Sequence, residues 1–300
     1  MNVLSLFDGM GGAYQAMVRA KILVDNYYFS EVDKNCVKVS LYNNPDGVNL
    51  GDIKDYKEWG VDWGKIDILF GGFPCQAYSF GGKQKAFDDP RGQLAIITCE
   101  ILEHAKKQNP NLYFLLENVK MKKVYSDKLN EIFGVKFISI NSNLVSAQNR
   151  TRYYWTNIPN VVQPEDRGIT FSNGIIAAIR GRVKNEEGKG IEKEFKSLKG
   201  ICKQYLEPRR DGKSNALNTI MKTNVVIEEL PETLPILAKD FSYRHLTIDE
   251  LCFLQTLDPN MFKDERGELI VSKTAIQKMI GNGWTIDVIV EILKNITYEK

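Results

Sequence analysis

Short apolar runs alternate with helix-period segments through the first half of the chain. Runs at 3–7, 28–32, 66–70, 113–117, 137–144 and 153–155 read as strands, and 14–21, 93–107 and 126–133 carry apolar residues at the three-to-four spacing of amphipathic helices. Strand and helix in alternation make βα units that feed a mostly parallel, doubly wound sheet, an α/β fold. From about Pro159 the pattern gives way to charged, glycine-punctuated sequence with short apolar stretches, among them Gly188-Lys189-Gly190 and the segment 208–212. Order returns at Thr247-Ile-Asp-Glu250, a capping box that opens a helix to about Thr256, followed by helical periodicity at 275–280 and 285–296. The organisation predicted is a first domain over 1–158, a small irregular region over 159–243, and terminal helices over 244–300 that rejoin the first domain. No internal repeat or low-complexity tract interrupts this plan.

At 300 residues and 43% hydrophobic composition the chain has ample material for a buried core. Its five cysteines, Cys36, Cys75, Cys99, Cys202 and Cys252, are scattered singly. An odd count without paired spacing predicts a reducing compartment rather than a disulfide framework. Neither a basic leader followed by an apolar run nor a stretch of roughly 20 apolar residues is found, so a soluble intracellular protein with no membrane partner is expected. The net charge is +2. That is far from the blanket positive field of a protein that holds nucleic acid by phosphate neutralisation alone. Basic residues do outnumber acids between Arg180 and Lys222, either as a solvated face or as a local contact surface.

Four strand ends carry candidate chemistry. Leu4-Ser-Leu-Phe7-Asp8-Gly9-Met-Gly11-Gly12 runs from a strand through a glycine turn into a helix, where bare backbone can approach a nucleotide-like ligand; the third glycine of a dinucleotide fingerprint is missing, which disfavours hydride transfer. Glu31, closing the next strand, could accept from ribose hydroxyls, and Asp52 in Gly51-Asp-Ile-Lys could accept from an adenine amino group; together they suggest an adenosyl cofactor. Ile66-Asp-Ile-Leu-Phe-Gly-Gly72-Phe-Pro74-Cys75-Gln76 then delivers a cysteine to the carboxyl edge of the sheet, where α/β ligands bind. Such a thiol is a nucleophile once its deprotonation is coupled to attack, and otherwise a small buried hydrophobe. Tyr113-Phe-Leu-Leu-Glu117-Asn118-Val119 ends on a carboxylate at the same edge, fit to hydrogen-bond a ring nitrogen and donate a proton. In Gln148-Asn-Arg150-Thr-Arg152 the two arginines lie two apart on a strand, so both are expected on one face, where they could clamp a base carbonyl or a phosphate.

A zinc-dependent cytosine deaminase would need a second cysteine three residues after Cys75, where Tyr78 stands, and His104 and His245 lack any matching cysteine spacing. No metal is expected, and both histidines are read as structural or surface residues.

These pieces occur in the order found in the cytosine-5 DNA methyltransferase family, which the chain resembles over most of its length. They include Phe7-Asp-Gly-Met-Gly-Gly12, Glu31, Gly51-Asp52, Gly72-Phe-Pro-Cys-Gln76, Asp88-Asp-Pro-Arg-Gly-Gln-Leu94, Glu117-Asn-Val119, Gln148-x-Arg150-x-Arg152, Arg244-His-Leu-Thr-x-x-Glu250 with Gln255, and Gly281-Asn282. The resemblance implies a Rossmann-like sheet that binds S-adenosyl-L-methionine, releases S-adenosyl-L-homocysteine, and methylates C5 of a flipped-out cytosine in double-stranded DNA. It makes Cys75 the thiolate that adds to C6 and Glu117 the group that contacts and protonates N3. Arg152 becomes the support of the base carbonyl, with Arg150 in the same catalytic motif. Phe7, Asp8, Gly9, Gly11, Gly12, Glu31, Asp52, Pro74, Asn282 and Trp284 would surround the cofactor. Residues 79–91 would form a loop that closes over DNA, with Gln76, Ser79 and Arg91 meeting the nucleic acid and Gly81, Gly82 and Gly92 absorbing the backbone change.

Region 159–243 is the expected target-recognition region. One departure is Gly283-Trp284-Thr285, where bacterial members carry a serine and valines; Trp284 either packs on the adenosine or fills the interface between terminal helices and sheet. A branch of the family that uses the same catalytic set on transfer RNA is the rival enzyme, and a catalytically silent DNA-binding protein is the rival of another class. The resemblance further implies a monomer in the cytoplasm of a bacterial or phage-infected cell, associated with the nucleoid. Membership of a restriction system, a solitary role and phage self-protection all fit.

Overall fold

The computed structural model describes residues 1–74, 93–180, 204–218, 223–232 and 234–296. In the first half, β1 (Asn2–Leu6), α1 (Gly12–Arg19), β2 (Asn26–Ser30), α2 (Lys34–Asn43) and β3 (Val48–Asn49) are followed by β4 (Ile68–Gly71), α3 (Gln93–Gln108), β5 (Tyr113–Val119), α4 (Lys123–Phe133), β6 (Ile138–Asn141), β7 (Gln148–Asn149) and β8 (Thr151–Thr156). The main sheet has the order β3-β2-β1-β4-β5-β8-β6. The strands from β3 to β5 pair in parallel, while β8 runs antiparallel between β5 and β6. Chain order reverses between β1 and β4, so the crevice at their carboxyl ends is where a doubly wound sheet binds its ligand.

Side chains alternate cleanly between the two faces. Val3, Ile68, Phe70 and Leu115 join one core cluster with α1 and the last helix, and Leu4, Leu69, Phe114 and Leu116 join the other with α3 and α4. A parallel sheet covered on both faces must be apolar on both, which is why its strands read as continuous apolar runs. The helix α2 escaped the periodic reading because only Val39 and Ser40 of its ten residues are buried. It starts instead from a local signal, the Asp33 side chain accepting from the Asn35 N–H.

The region after Pro159 is more regular than its sequence suggested. It forms a five-stranded antiparallel sheet, ordered β13-β10-β9-β12-β14, from β9 (Ile175–Arg180), β10 (Tyr205–Pro208), β12 (Asn224–Ile227), β13 (Ile236–Leu237) and β14 (Arg244–His245). A further short strand, β11 (Ser214–Asn215), pairs in parallel with β7 of the first half. Ala177, Ile179, Leu206, Val225 and Ile227 supply the sheet's own small core. Of the basic cluster, 181–203 and 219–222 lie outside the described residues. Arg209 is engaged by Asp211 and Asn215, and Lys213 caps the carbonyls of Asn143 and Ser146.

The chain then returns through α5 (Ile248–Gln255), α6 (Lys273–Asn282) and α7 (Ile286–Leu293), with α7 packed on α1. The expected capping box is present at α5. Glu250, besides closing that box, takes both terminal nitrogens of Arg244 at 2.8 Å. Burial works against its charge, yet Arg244 and the Thr247 N–H hold the Glu250 carboxyl below the usual carboxylate range.

Two buried polar groups fix the loops around the crevice. Asp8 follows β1, and its carboxylate accepts from Tyr27 Oη on β2 and from Ser40 Oγ on α2, 2.9 Å away, which pins the glycine turn to both neighbours. At the other side Gln255, fully buried, donates to the carbonyls of Ile280 and Gly283 and accepts from Gln148 and from Thr285 Oγ1. Gln148 in turn donates to the Leu254 carbonyl and accepts from the Leu217 N–H. The loop between α6 and α7 is therefore held by side chains from α5 and from the approach to β8. Removing one member leaves buried partners without hydrogen bonds.

Burial pushes the Asp8 carboxyl up from 3.8 to about 6, against the opposing hydroxyl donors. A folded value above the unfolded one favours the folded state fully at low pH and less as pH rises between about 4 and 6. Urea unfolding at pH 4 and pH 7.5 should show wild type losing roughly 2 to 3 kcal/mol relative to Asp8→Asn across that interval; parallel profiles would refute the buried-acid account. Gln255→Leu should lower stability by about 2 to 4 kcal/mol at constant m-value, whereas a cost below about 0.5 kcal/mol, the range of an ordinary surface change, would mean the network is dispensable.

Candidate active site

The glycine turn leaves β1 with Phe7 at φ 54°, Gly9 at φ 63° and Gly11 at φ 84°. A bulky residue in the left-handed region is a strained choice that the surrounding structure must enforce. Gly11 caps α1, and a Cβ there would come within 3.2 Å of Ser40 Oγ, so the turn has to be made by glycine. Glu31, just past β2, accepts from the Gly9 N–H at 2.9 Å and from the N–H groups of Val32 and Asp33 at 2.8 Å. A carboxylate offers about four acceptor sites, so roughly one stays available for a ligand hydroxyl. Asp52 caps the short 3-10 turn Ile53–Glu58 through the Lys54 N–H, after Gly51 at φ 78°. A Cβ built on Gly9 or Gly51 would meet nothing within 4 Å, so both glycines border open space. Asp8 differs from its neighbours: its N–H, its carbonyl and both carboxylate oxygens are engaged within the protein, which makes it part of the frame of the turn.

From β4 the chain continues through Gly72 and Phe73 to Pro74, and the buried Asn118 amide donates to the Phe73 carbonyl at 3.1 Å. This bond ties the turn preceding Cys75 to the end of β5, a role for Asn118 that its place in the sequence pattern does not reveal. Cys75, Gln76, Ser79, Arg91 and the rest of 75–92 lie outside the described residues.

Glu117, 8% exposed, stands opposite Tyr154 in the β5–β8 ladder, and Arg152 is two residues from Tyr154, on the same face and within diagonal reach. The result is an ion pair from Arg152 Nε to Glu117 Oε1 at 3.0 Å. The other oxygen, Oε2, accepts from Trp284 Nε1 at 3.1 Å.

The expected same-face clamp of two arginines is corrected. Arg150 lies before β8 starts, in the link from β7, and its guanidinium turns to the carbonyls of Leu217 at 2.7 Å and Gly283 at 2.9 Å, with Gly281 at 3.4 Å. At 3% exposure it is buried against the loop that carries Gly281 and Gly283. Asn282 ends α6 and is exposed. Next to it, a Cβ on Gly283 would lie 2.8 Å from the terminal methyl of Met10 in the glycine turn and 3.0 Å from the Met279 carbonyl, so the place leaves little room for a side chain. Trp284 lies 6.2 Å from Phe70 between ring centroids, beside Gly12 and Gly72.

The glycine turn, the 72–74 turn, the Glu117–Arg152 pair and the 281–284 loop thus meet at the carboxyl ends of β1, β4 and β5. Away from it, His104 packs its ring on Trp63 and His245 is exposed on β14. Among the described residues no group of three side chains could hold a metal ion, and no helix is long and apolar enough to cross a membrane.

Comparison with known proteins agrees with this geometry. The orphan methyltransferase M.SPRI of Bacillus phage SPR is 26% identical over 255 residues, covering 77% of this chain and 57% of its own. The type II methyltransferase M.BanI of Aneurinibacillus aneurinilyticus is 29% identical over 220 residues, 67% of this chain and 47% of its own. The chain spans about half the length of the curated relatives it matches. Among solved structures, a mutant DNMT2 of Spodoptera frugiperda superposes with a TM-score of 0.60 at 19% identity, and a prophage-encoded putative DNA modification methyltransferase of E. coli with 0.58 at 18%; each match covers 98% of both chains and shows a shared fold. The family model described as C-5 cytosine-specific DNA methylase matches residues 1–158 of the 300, and the chain belongs to that family.

Proposed function

We propose that the chain transfers a methyl group from S-adenosyl-L-methionine to C5 of a flipped-out cytosine in duplex DNA through a covalent Cys75–C6 adduct. The observation that carries this reading is the convergence at the switch point of the sheet: a buried carboxylate–guanidinium pair, the turn leading into Cys75 and the glycine turn all border one crevice. The open space over Gly9 and Gly51 and the spare acceptor on Glu31 suit an adenosyl cofactor, which when bound supplies an electrophilic methyl on a sulfonium. Phe7, Gly9, Gly11, Gly12, Pro74 and Asn282 would border it, Glu31 would take the ribose hydroxyls, Asp52 the adenine amino group, and Asp8 would keep the turn in shape.

In this reading the Cys75 thiolate adds to C6 and makes C5 electron-rich. Glu117 meets N3 and gives it a proton, and Arg152, already fixed by Glu117, supports the base carbonyl. After transfer a base removes the C5 proton, and expulsion of Cys75 restores the aromatic ring. Arg150 serves by holding the 281–283 carbonyls. The antiparallel sheet after Pro159 would read the target, where groove contacts offset the few kcal/mol needed to extrude the base. Residues 79–91, with Gln76, Ser79 and Arg91, would close over the DNA.

Purified protein given tritiated methyl donor should label duplex DNA and leave transfer RNA unlabelled; the reverse pattern would assign the chain to RNA. Cys75→Ser should abolish labelling, and DNA carrying 5-fluorocytosine should trap wild type as an adduct that survives denaturing electrophoresis, because fluorine replaces the proton that must leave. Serine-variant activity near wild type would defeat the nucleophile assignment. Glu31→Ala and Asp52→Ala should each weaken binding of the methyl donor by about tenfold in calorimetry, the worth of one good polar contact; unchanged affinity would remove them from the cofactor site.

A further inference from the structure

Trp284 packs against Phe70 and Gly12, between the terminal helices and the sheet, and it also makes one polar contact there. Its indole N–H ends on the carboxyl of Glu117. Indole nitrogen is a donor only, so the direction of this bond is fixed: Oε2 of Glu117 must accept. Oε1 is taken by Arg152 Nε at 3.0 Å. The terminal torsion of a glutamate is otherwise broad, and two donors on separate oxygens, carried by elements on opposite sides of β5's end, hold the carboxyl plane to one setting.

The donor is itself held rigidly. On one flank of Trp284 the Gly283 carbonyl is gripped by both Arg150 and Gln255; on the other, Thr285 Oγ1 is bonded to Gln255 and Ser142. The indole edge and the Glu117 carboxyl both pack closely over Gly72: a Cβ there would lie 3.0 Å from Trp284 Nε1 and 3.4 Å from Glu117 Oε2, tight enough to displace one of them by a few tenths of an ångström. Gly72, Trp284 and Glu117 form one packed unit built from three distant stretches of chain.

We infer that Trp284 is a positioning residue for the proposed reaction, its indole N–H setting the Glu117 carboxyl in the orientation that meets the cytosine ring nitrogen. Both oxygens keep a second lone pair, so the carboxyl can still carry or accept the proton that the step at N3 requires. The inference rests on the methyl-transfer reading above and adds to it a residue whose effect passes through Glu117 rather than through the cofactor.

Trp284→Phe keeps an aromatic ring and deletes the N–H; Trp284→His is smaller but retains a ring N–H. With saturating donor and duplex DNA, Trp284→Phe should lower kcat by about tenfold, the order expected for loss of a hydrogen bond to a charged group, while the donor's dissociation constant in calorimetry stays at the wild-type value. Trp284→His should recover part of the lost kcat, which a purely space-filling role does not predict. Wild-type kcat in the Phe variant, a loss confined to donor affinity, or a His variant no better than Phe would each overturn the inference while leaving the proposed activity standing. A wild type that labels no cytosine in DNA or RNA would bring down the activity, and the inference with it.

Discussion

One buried amide joins what chain order separates. Gln255 lies at the end of α5, yet its two polar atoms hold the α6–α7 loop, Gln148 before β8, and Thr285 at the cap of α7. Buried amides must be satisfied, and this one is satisfied only when three segments more than twenty residues apart are in register. The wall of the crevice formed by Gly283 and Trp284 exists because that condition is met. Asp8 does the equivalent on the facing side, where its carboxylate binds the glycine turn to β2 and α2.

Between these two anchors the charge is arranged economically. Glu117 and Arg152 neutralise each other in a largely buried position, and such a pair is maintained by its geometry and its additional hydrogen bonds rather than by Coulomb attraction alone. Polar groups around the crevice find backbone partners: the half-buried Glu31 with three N–H groups, the buried Arg150 with three carbonyls, and the buried Asn118 with Phe73.

Much of the first domain is legible in the sequence because a two-sided parallel sheet demands apolar strands and amphipathic helices, and strand ends such as Phe7, Glu31, Pro74 and Glu117 then fall at one edge by topology alone. The helix α2 is not legible, since it buries too few side chains to mark a period. The second sheet is missed for a related reason: strands of two to six residues, interrupted by glycine and charge, are too short to establish an alternation. The arginines at 150 and 152 act together only if one strand includes both; β8 begins between them, and one guanidinium goes to Glu117 and the other to Gly283. The contact of Trp284 with Glu117 passes close over Gly72, a relation across more than two hundred residues that no local pattern expresses.

The reversed strand β8 has a mechanical meaning. Parallel strands offer the crevice only their exits, whereas β8 offers its entrance, so the residues immediately upstream of Arg152 are free to make other connections. They do: Gln148 and Asn149 are zipped to Ser214 and Asn215 of the second region, and Asn149 also reaches Asp211. The second region is thus joined by backbone pairing to the segment that leads directly into Arg152, whose guanidinium lies beside Glu117, so the reversed strand makes the outer part of the chain a structural neighbour of the inner ion pair.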